Sequence, residues 1–522
     1  MKIFSSNFCA ILAILLCGSA FAAPRDTVTF WAMPNGPDSR NDLEKTLRRF
    51  TQETRIPVRL EIIDWSEAFA RLNSAFESRN TPDILQTGST WISFFADKKY
   101  LAQLNAIAPQ VDSLRFLRQS MRPAHIDGKP GIYAFPWFLD IRALFANKRV
   151  TDSLGIRAED LVTEAQFRGI LTYLAQENFT TAKGLPLIPF GLPGKDDWTG
   201  PQALAPFLWS EGGDYIKKEN GRWRSALLDS ASLRGIARYV DILRDTLTAP
   251  NSLRENSAQN AARFTTGEQV FLFGTSEILR KMDIPESEHG FSDRRLGKSG
   301  LVVFSIPGGK LGSKPFFGGS YLAIPASAKH AKGAQRLLLF LLRADNLSRY
   351  THGIGFLPPD ESVLNVWAKD TRYSGLVKDL EHGQSFPNIP EWGAVEKELI
   401  AMTNDIGAHY RHAQKNAKDS DAALAALLIR YDGRINAALN IQDTTGRSIA
   451  DIAQILREDI PTQRFAPHKA IKAPEQSAPA EVPHRSIFQW ILAGGVFGIL
   501  ILTIILSKMV HNLKIKEKKR RR

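Results

Sequence analysis

Sulfur chemistry is nearly absent from this chain. Of 522 residues only Cys9 and Cys17 are cysteines, and both fall within the opening 22. Those residues read as an export signal, with Lys2 as the positive end, Phe8 to Leu16 as the apolar run and Ala20-Phe21-Ala22 as the cleavage pattern. A lipoprotein site at Cys17 would want a small residue ahead of it and finds Leu15-Leu16. Cleavage after Ala22 leaves no thiol, which excludes disulfides, cysteine metal ligands and cysteine nucleophiles. An exported domain without disulfides depends on its core, and 43% hydrophobic residues supply one. The motifs of common catalysts are also missing: no HExxH, GxSxG or Walker lysine pattern occurs. His409 and His412 stand three apart without an evident third ligand, and Asp196 and Asp197 are adjacent rather than facing. No catalytic residue, metal or cofactor is expected.

Charge is missing from Ile487 to Leu506. About 20 apolar residues cover the ~30 Å hydrocarbon layer, so residues 487–508 are expected to span a membrane, with Trp490 near the interface. The basic tail over 509–522, with Lys508 just ahead of it, holds most of the charge excess: eight Lys and Arg against Glu517 make seven of the net +13. That asymmetry puts the tail in the cytoplasm and everything before the span outside, as the signal over 1–22 also demands. The expected location is an exported domain anchored in the cytoplasmic membrane. Elsewhere charges alternate in sign, so no nucleic-acid partner is expected. Gly494 and Gly498 have a packing spacing common in spanning helices, which assigns nothing. Residues 461–486 are rich in Pro and Ala and read as an extended linker.

What remains has an α/β rhythm. Thr27 to Met33 reads as a strand, Asp42 to Gln52 as a helix, Ile56 to Ile63 as a strand, Ser66 to Glu77 as a helix and Pro82 to Leu85 as a strand. That order implies right-handed crossovers and a largely parallel sheet. Ligands collect beyond the carboxyl ends of such strands. Here those ends hold Trp31 and Asn35, then Asp64 and Trp65, then Gly88 to Trp91. A later stretch, Lys314 to Leu342, carries the pair Gly318-Gly319, a short strand from Tyr321 to Ile324 stopped by Pro325, and a helix from Ala334 to Leu342.

Several segments in order resemble family 1 extracellular solute-binding proteins, which include the sugar-binding components of ABC importers. They are Pro82-Asp83-Ile84 with Trp91, Leu101 to Leu104, Asp127-Gly128-Lys129 with Pro136 and Asp140, and Phe145-Ala146-Asn147. Phe207 to Asp214, Phe264 to Ser276, Phe304 to Pro307 with Gly318 to Leu342, and Gly353 to Pro358 follow. Gln269-Val270 and Glu277 depart from the pattern. The resemblance implies an α/β, two-lobed periplasmic-binding-protein fold of the type II kind with hinge strands, here with one C-terminal transmembrane helix added. It places the first lobe at 23–140 and 301–355 and the second at 141–300 and 356–460. It also implies a small-molecule solute, sugar or oligosaccharide, and ABC permease subunits as partners.

A sugar's C–H faces stack on aromatic rings while its hydroxyl rim needs paired donors and acceptors. The candidate ligand-binding residues are therefore Asn35, Asp64, Trp65, Ser89, Trp91, Trp137, Asp140, Trp198, Gly319, Ser320, Tyr321 and Trp392. Any one tryptophan can equally be core. Trp31 and Trp209 continue apolar runs and are expected there, whereas Trp198 is the least core-like. Asp64 and Asp140 can also act as helix cap and hinge partner, and Arg142 can meet an anionic substituent or a local carboxylate. The glycine pair would let ligand hydroxyls approach backbone N–H groups. Two other readings stay open, a ligand-sensing module for a membrane signalling partner and a cell-surface hydrolase.

Overall fold

Strand β1 (Val28–Ala32) buries Val28, Phe30 and Ala32 and half-exposes the residues between, the two-residue period of a strand with one face on a core. A computed structural model describes residues 27–468 except 112–114, 178, 182–183, 196, 245–246, 248–251, 292–295, 297–299, 413–416, 443–445 and 459. The expected signal, span and tail, Asp196 and most of the linker lie outside the described residues. Among those described, no helix is long and apolar enough to cross a membrane.

The first sheet runs β2 (Val58–Ile62), β1, β3 (Ile84–Gly88), β11 (Phe317–Ala323), β4 (Ala134–Ile141). β2, β1 and β3 are parallel and β11 runs against both its neighbours. The second sheet runs β10 (Leu301–Phe304), β5 (Ala143–Asn147), β9 (Gln269–Gly274), β6 (Ile188–Gly191), with β5 reversed. Each sheet is therefore mostly parallel with one reversed strand, covered by helices on its faces, which is the two-lobed α/β arrangement. A short hairpin of β7 (Ile216–Glu219) and β8 (Arg222–Ser225) hangs on the second lobe.

Only Arg142 separates β4 from β5, so the chain changes sheets within one residue. The resemblance implies a return at 301, but β10 still pairs with β5, and the passage back lies between Phe304 and Phe317. The helices Glu361–Trp367 and Thr371–Leu380 cover this junction. They share a core with Leu139 and Ile141 of β4, Phe145 of β5, Leu272 of β9 and Phe317 of β11. Residues 461–468 also differ from a free linker. Gln463 N–H donates to Ala165 O at 3.0 Å, His468 N–H donates to Leu154 O at 3.0 Å, and Phe465 packs on Tyr173.

Two glycines are fixed by close approach. Gly36 (φ +75°) would set a Cβ 2.3 Å from Ile354 O, so only glycine lets the turn after β1 lie on the helix Ala344–Ile354. At Gly319 a Cβ would fall 2.4 Å from Phe138 O. The backbone this glycine admits is therefore β4 of the same sheet, not a ligand.

Candidate functional site

Sheet topology brings the carboxyl ends of the first sheet's parallel strands to one place. A cavity of about 600 Å³ opens there, facing the second lobe. Pro34 and Asn35 enter from the end of β1, Trp65 from beyond β2, and Gly88 to Trp91 from β3. Phe138 and Asp140 of β4 with Gly319 and Ser320 of β11 complete that wall.

The first wall is aromatic over a closed polar floor. Trp65 lies 5.8 Å from Trp91, Phe69 lies 5.5 Å from Trp91 edge-on, and Trp65 Nε1 donates to Pro34 O at 2.9 Å. Beneath, Gln86 Nε2 donates to Asn35 Oδ1 at 3.0 Å and to Ser320 Oγ at 2.7 Å. Its Oε1 accepts from Asn35 Nδ2 and from Met33 N–H, both at 3.0 Å. Asn35 Nδ2 also donates to Tyr350 Oη at 3.1 Å. The network is neutral and holds the loop after β1 in place.

The second wall carries charge. Lys281 and Glu277 pair at 3.0 Å, and Gln202, Ser257, Thr275, Glu396 and Lys397 line the same space. Arg142 Nη2 donates to Gln202 Oε1 at 2.6 Å and stands 3.8 Å from Asp140. Burial raises the Asp140 carboxyl above the usual carboxylate range, with Arg142 opposing and Glu277 adding to the rise. Glu396 accepts from the Thr90 hydroxyl of the first lobe at 3.2 Å, and burial pushes its carboxyl up to about 7. At the rim Trp198 of the second lobe stacks on Trp65, centroids 5.7 Å apart and planes 15° apart. Trp198 keeps 39% of its surface exposed, so this stack roofs the cavity.

Of the twelve candidate residues, Asn35, Trp65, Ser89, Trp91, Asp140, Trp198, Gly319 and Ser320 line the cavity. Four do not. Asp64 caps the helix Trp65–Glu77, accepting from Ser66 N–H at 2.9 Å, and the Ser66 hydroxyl holds its carboxyl below the usual range. Trp137 is fully buried and stacked on Tyr350 at 4.4 Å. Alternation along β4 turns it away from the face that carries Phe138 and Asp140. Tyr321 turns the same way from Ser320, and its buried hydroxyl donates to Ser120 O at 2.6 Å. Trp392 is fully buried against Phe386 at 4.7 Å. Trp209 lies in the core, as expected, but Trp31 is half-buried beneath Arg71. His409 meets the Ser420 hydroxyl at 2.8 Å, and no cluster suited to a metal occurs among the described residues.

The residues passed over are Phe69, Gln86, Gln202, Glu277, Lys281, Glu396 and Lys397. Gln86, an amide between Leu85 and Thr87 in a buried strand, and Gln202, an amide in the apolar helix Gly200–Ser210, left readable signals; the others sit on helices with ordinary polar faces.

Sequence and fold comparisons agree with the two-lobed fold. The profile described as bacterial extracellular solute-binding protein matches residues 45–374. The diacetylchitobiose binding protein DasA of Streptomyces coelicolor is 26% identical over 403 residues, covering 76% of this chain and 87% of that protein. The GacH receptor of Streptomyces glaucescens, solved unliganded and with acarbose, superposes with a TM-score of 0.61 at 21% identity, covering 77% of this chain and 98% of that one. The maltotriose binding protein of Thermus thermophilus, solved with maltotriose, gives 0.62 at 18% identity, covering 79% and 100%.

Proposed function

This chain belongs to the bacterial extracellular solute-binding proteins, and from that membership we propose that it captures a carbohydrate between its lobes and hands it to an ABC importer. The observation that carries the reading is the grouping of Trp65, Trp91 and Trp198 around one cavity with Asp140, Gln202 and Ser320 on its floor and walls. Rings of this kind receive the C–H face of a sugar, and the polar groups take its hydroxyl rim. A hydroxyl buried without a partner costs about 1–3 kcal/mol, so selectivity comes from the rim. Lobe closure is the motion expected of the fold. The reading is one of binding, not turnover.

The membrane anchor belongs to the same proposal. An export signal over 1–22 and a span over 487–508 would hold the receptor beside its membrane partner and raise the effective concentration there. Fractionation of the full chain and of one ending at His468 tests the tether; recovery of both in the soluble fraction removes it.

Thermal shift with N,N′-diacetylchitobiose, maltotriose and acarbose tests the ligand class. A ligand at 100-fold its dissociation constant adds about 2.7 kcal/mol. Stabilisation by an amino acid or peptide and by none of these saccharides removes the carbohydrate reading. Crosslinking at the span separates delivery from sensing, by capturing a permease or a signalling protein.

A further inference from the structure

Glu396 occupies an unusual position in the cavity. It sits in the second turn of the helix Trp392–His412, which packs on the second lobe's helix Gly200–Ser210. Its carboxyl nevertheless meets the first lobe, through the Thr90 hydroxyl at 3.2 Å. Burial pushes its carboxyl up, while Thr90, Trp392 and Trp91 act as hydrogen-bond partners of the charged form and oppose the rise. One turn back, Gly393 lies against Phe69 and Phe94, so the elements of the first lobe that face this turn bring rings and no charge. No Lys, Arg or His nitrogen stands within 4.0 Å of it among the described residues. The other charged groups on the cavity wall are Lys397 on the same helix, the Lys281–Glu277 pair, and Asp140 with Arg142, whose guanidinium is taken by Gln202.

A carboxylate removed from water without a cation is costly, and the group takes up a proton instead. Glu396 is half-buried, and part of its cover, the Thr90 contact, is made across the two lobes, so opening them returns it further to water. We propose that Glu396 is a positioning residue of the cleft that enters the closed form as the neutral acid, so that closure of the lobes takes up one proton. In that form one oxygen accepts from Thr90 and the acid O–H is left to donate to an acceptor on the ligand, such as a ring oxygen or a carbonyl. Closure is then favoured by acid. With Thr90 in contact, burial pushes the Glu396 carboxyl up to about 7, which supports the direction. The closed-to-open ratio falls by up to about tenfold per pH unit between the open form's ordinary range and that value.

The experiment uses the chain from Ala23 to its end in lipid nanodiscs, without ligand. Beyond residue 22 the chain has no cysteine, so with residues 1–22 removed Lys45→Cys on the first lobe and Lys218→Cys on the second take spin labels at two sites only. Both positions are exposed. The expected result is a shift of the inter-label distance distribution toward the longer, open distance between about pH 5 and about pH 8. Glu396→Gln should hold one distribution across that range. Infrared difference spectra of the same samples should show a neutral-carboxyl C=O band at the lower pH that Glu396→Gln lacks. A wild-type distribution that ignores pH, or one that shifts equally in Glu396→Gln, overturns the proposal. It rests on the reading of the cleft as a closing ligand site. Failure of N,N′-diacetylchitobiose, maltotriose and acarbose to bind at any pH would instead overturn the carbohydrate reading and leave this result standing.

Discussion

The two lobes share a sheet plan but solve the problem of buried polar groups in opposite ways. In the first lobe the network behind the cavity is neutral, with Gln86, Asn35, Ser320 and Tyr350 trading amide and hydroxyl bonds. In the second it is ionic. Arg238 bridges Glu164 at 3.2 Å and Glu211 at 3.0 Å, Arg234 adds a contact to Glu211 at 3.4 Å, and Lys310 N–H donates to Glu211 Oε1 at 3.2 Å. The neutral network holds one shape whatever the pH, which suits a rigid platform for aromatic rings. The ionic one ties the returning loop at Gly309 and Lys310 to the helix Gly200–Ser210 and makes the second lobe's stability depend on protonation.

The largest expected effect breaks the neutral side. Gln86→Leu leaves Asn35, Ser320 and the Met33 N–H without their partners, each of which costs about 1–3 kcal/mol when buried. Unfolding by denaturant should show a loss of about 3–5 kcal/mol that is the same at every pH. A loss that grows or shrinks with pH would mean the first lobe's network is not neutral after all.

The next effect addresses the ionic side. Burial pushes the Glu164 carboxyl up to about 7, against Arg238 and Ser210, with Glu211 adding to the rise. Its folded form binds a proton more tightly than the unfolded chain does, so its contribution is complete below the ordinary value of 4.5 and is lost as pH rises through about 7. Wild type should therefore lose up to about 3 kcal/mol relative to Glu164→Gln across that window. Parallel stability–pH curves for the two proteins would contradict the contrast between the lobes.

Much of the fold was legible in the chain, and the site was legible in part, for identifiable reasons. Apolar spacing sufficed for β1, for the helix around Leu43, Leu47 and Phe50, and for β3, because each buries one regular face. Strand ends rich in Trp and Asn led to the first wall. The errors at Trp137 and Tyr321 share one cause. Each stands at an odd separation from a cavity-lining neighbour, Asp140 or Ser320, and residues at odd separations in a strand face opposite ways. The pair Gly318-Gly319 does mark a close approach, but at Gly319 the neighbour is the backbone of Phe138 in β4 and not a ligand. In the second wall Gln202 is a lone amide in the buried, apolar helix Gly200–Ser210. Most of that wall was invisible, because Glu396 and Lys281 sit on helices where a polar residue every third or fourth position is the ordinary solvated face. Only the packing of a second lobe turns that face inward.

The aromatic roof sharpens the comparison at the cleft. Trp65→Ala removes the ring that stacks on Trp198 and touches Trp91. An aromatic pair is worth about 0.5–1.5 kcal/mol beyond its area, so saccharide affinity should fall by about tenfold or more, with stability changed less than by Gln86→Leu. Titration calorimetry checks this. Unchanged affinity would assign recognition to the charged wall alone.

The smallest expected effect lies where the second lobe borrows from the chain beyond it. Residues 461–468 lie against the helix Glu164–Gln176, with Phe465 edge-on to Tyr173 at 5.4 Å and Gln463 bonded to Ala165. A Cβ on Gly169 would meet Gln463 O at 1.8 Å, so the helix is shaped to receive this run. Phe465 is only half-buried, so Phe465→Ala should cost about 1 kcal/mol rather than the 3–5 of a fully buried ring. Ending the chain after Ile460 should cost more, by removing the backbone bonds as well, and ending it after His468 should leave the midpoint where it was. Since the run touches only the second lobe, the loss should add to that of Gln86→Leu in the double variant. A shortfall from additivity would mean that the lobes unfold as separate units, and the contrast drawn between them would then extend to their cooperativity.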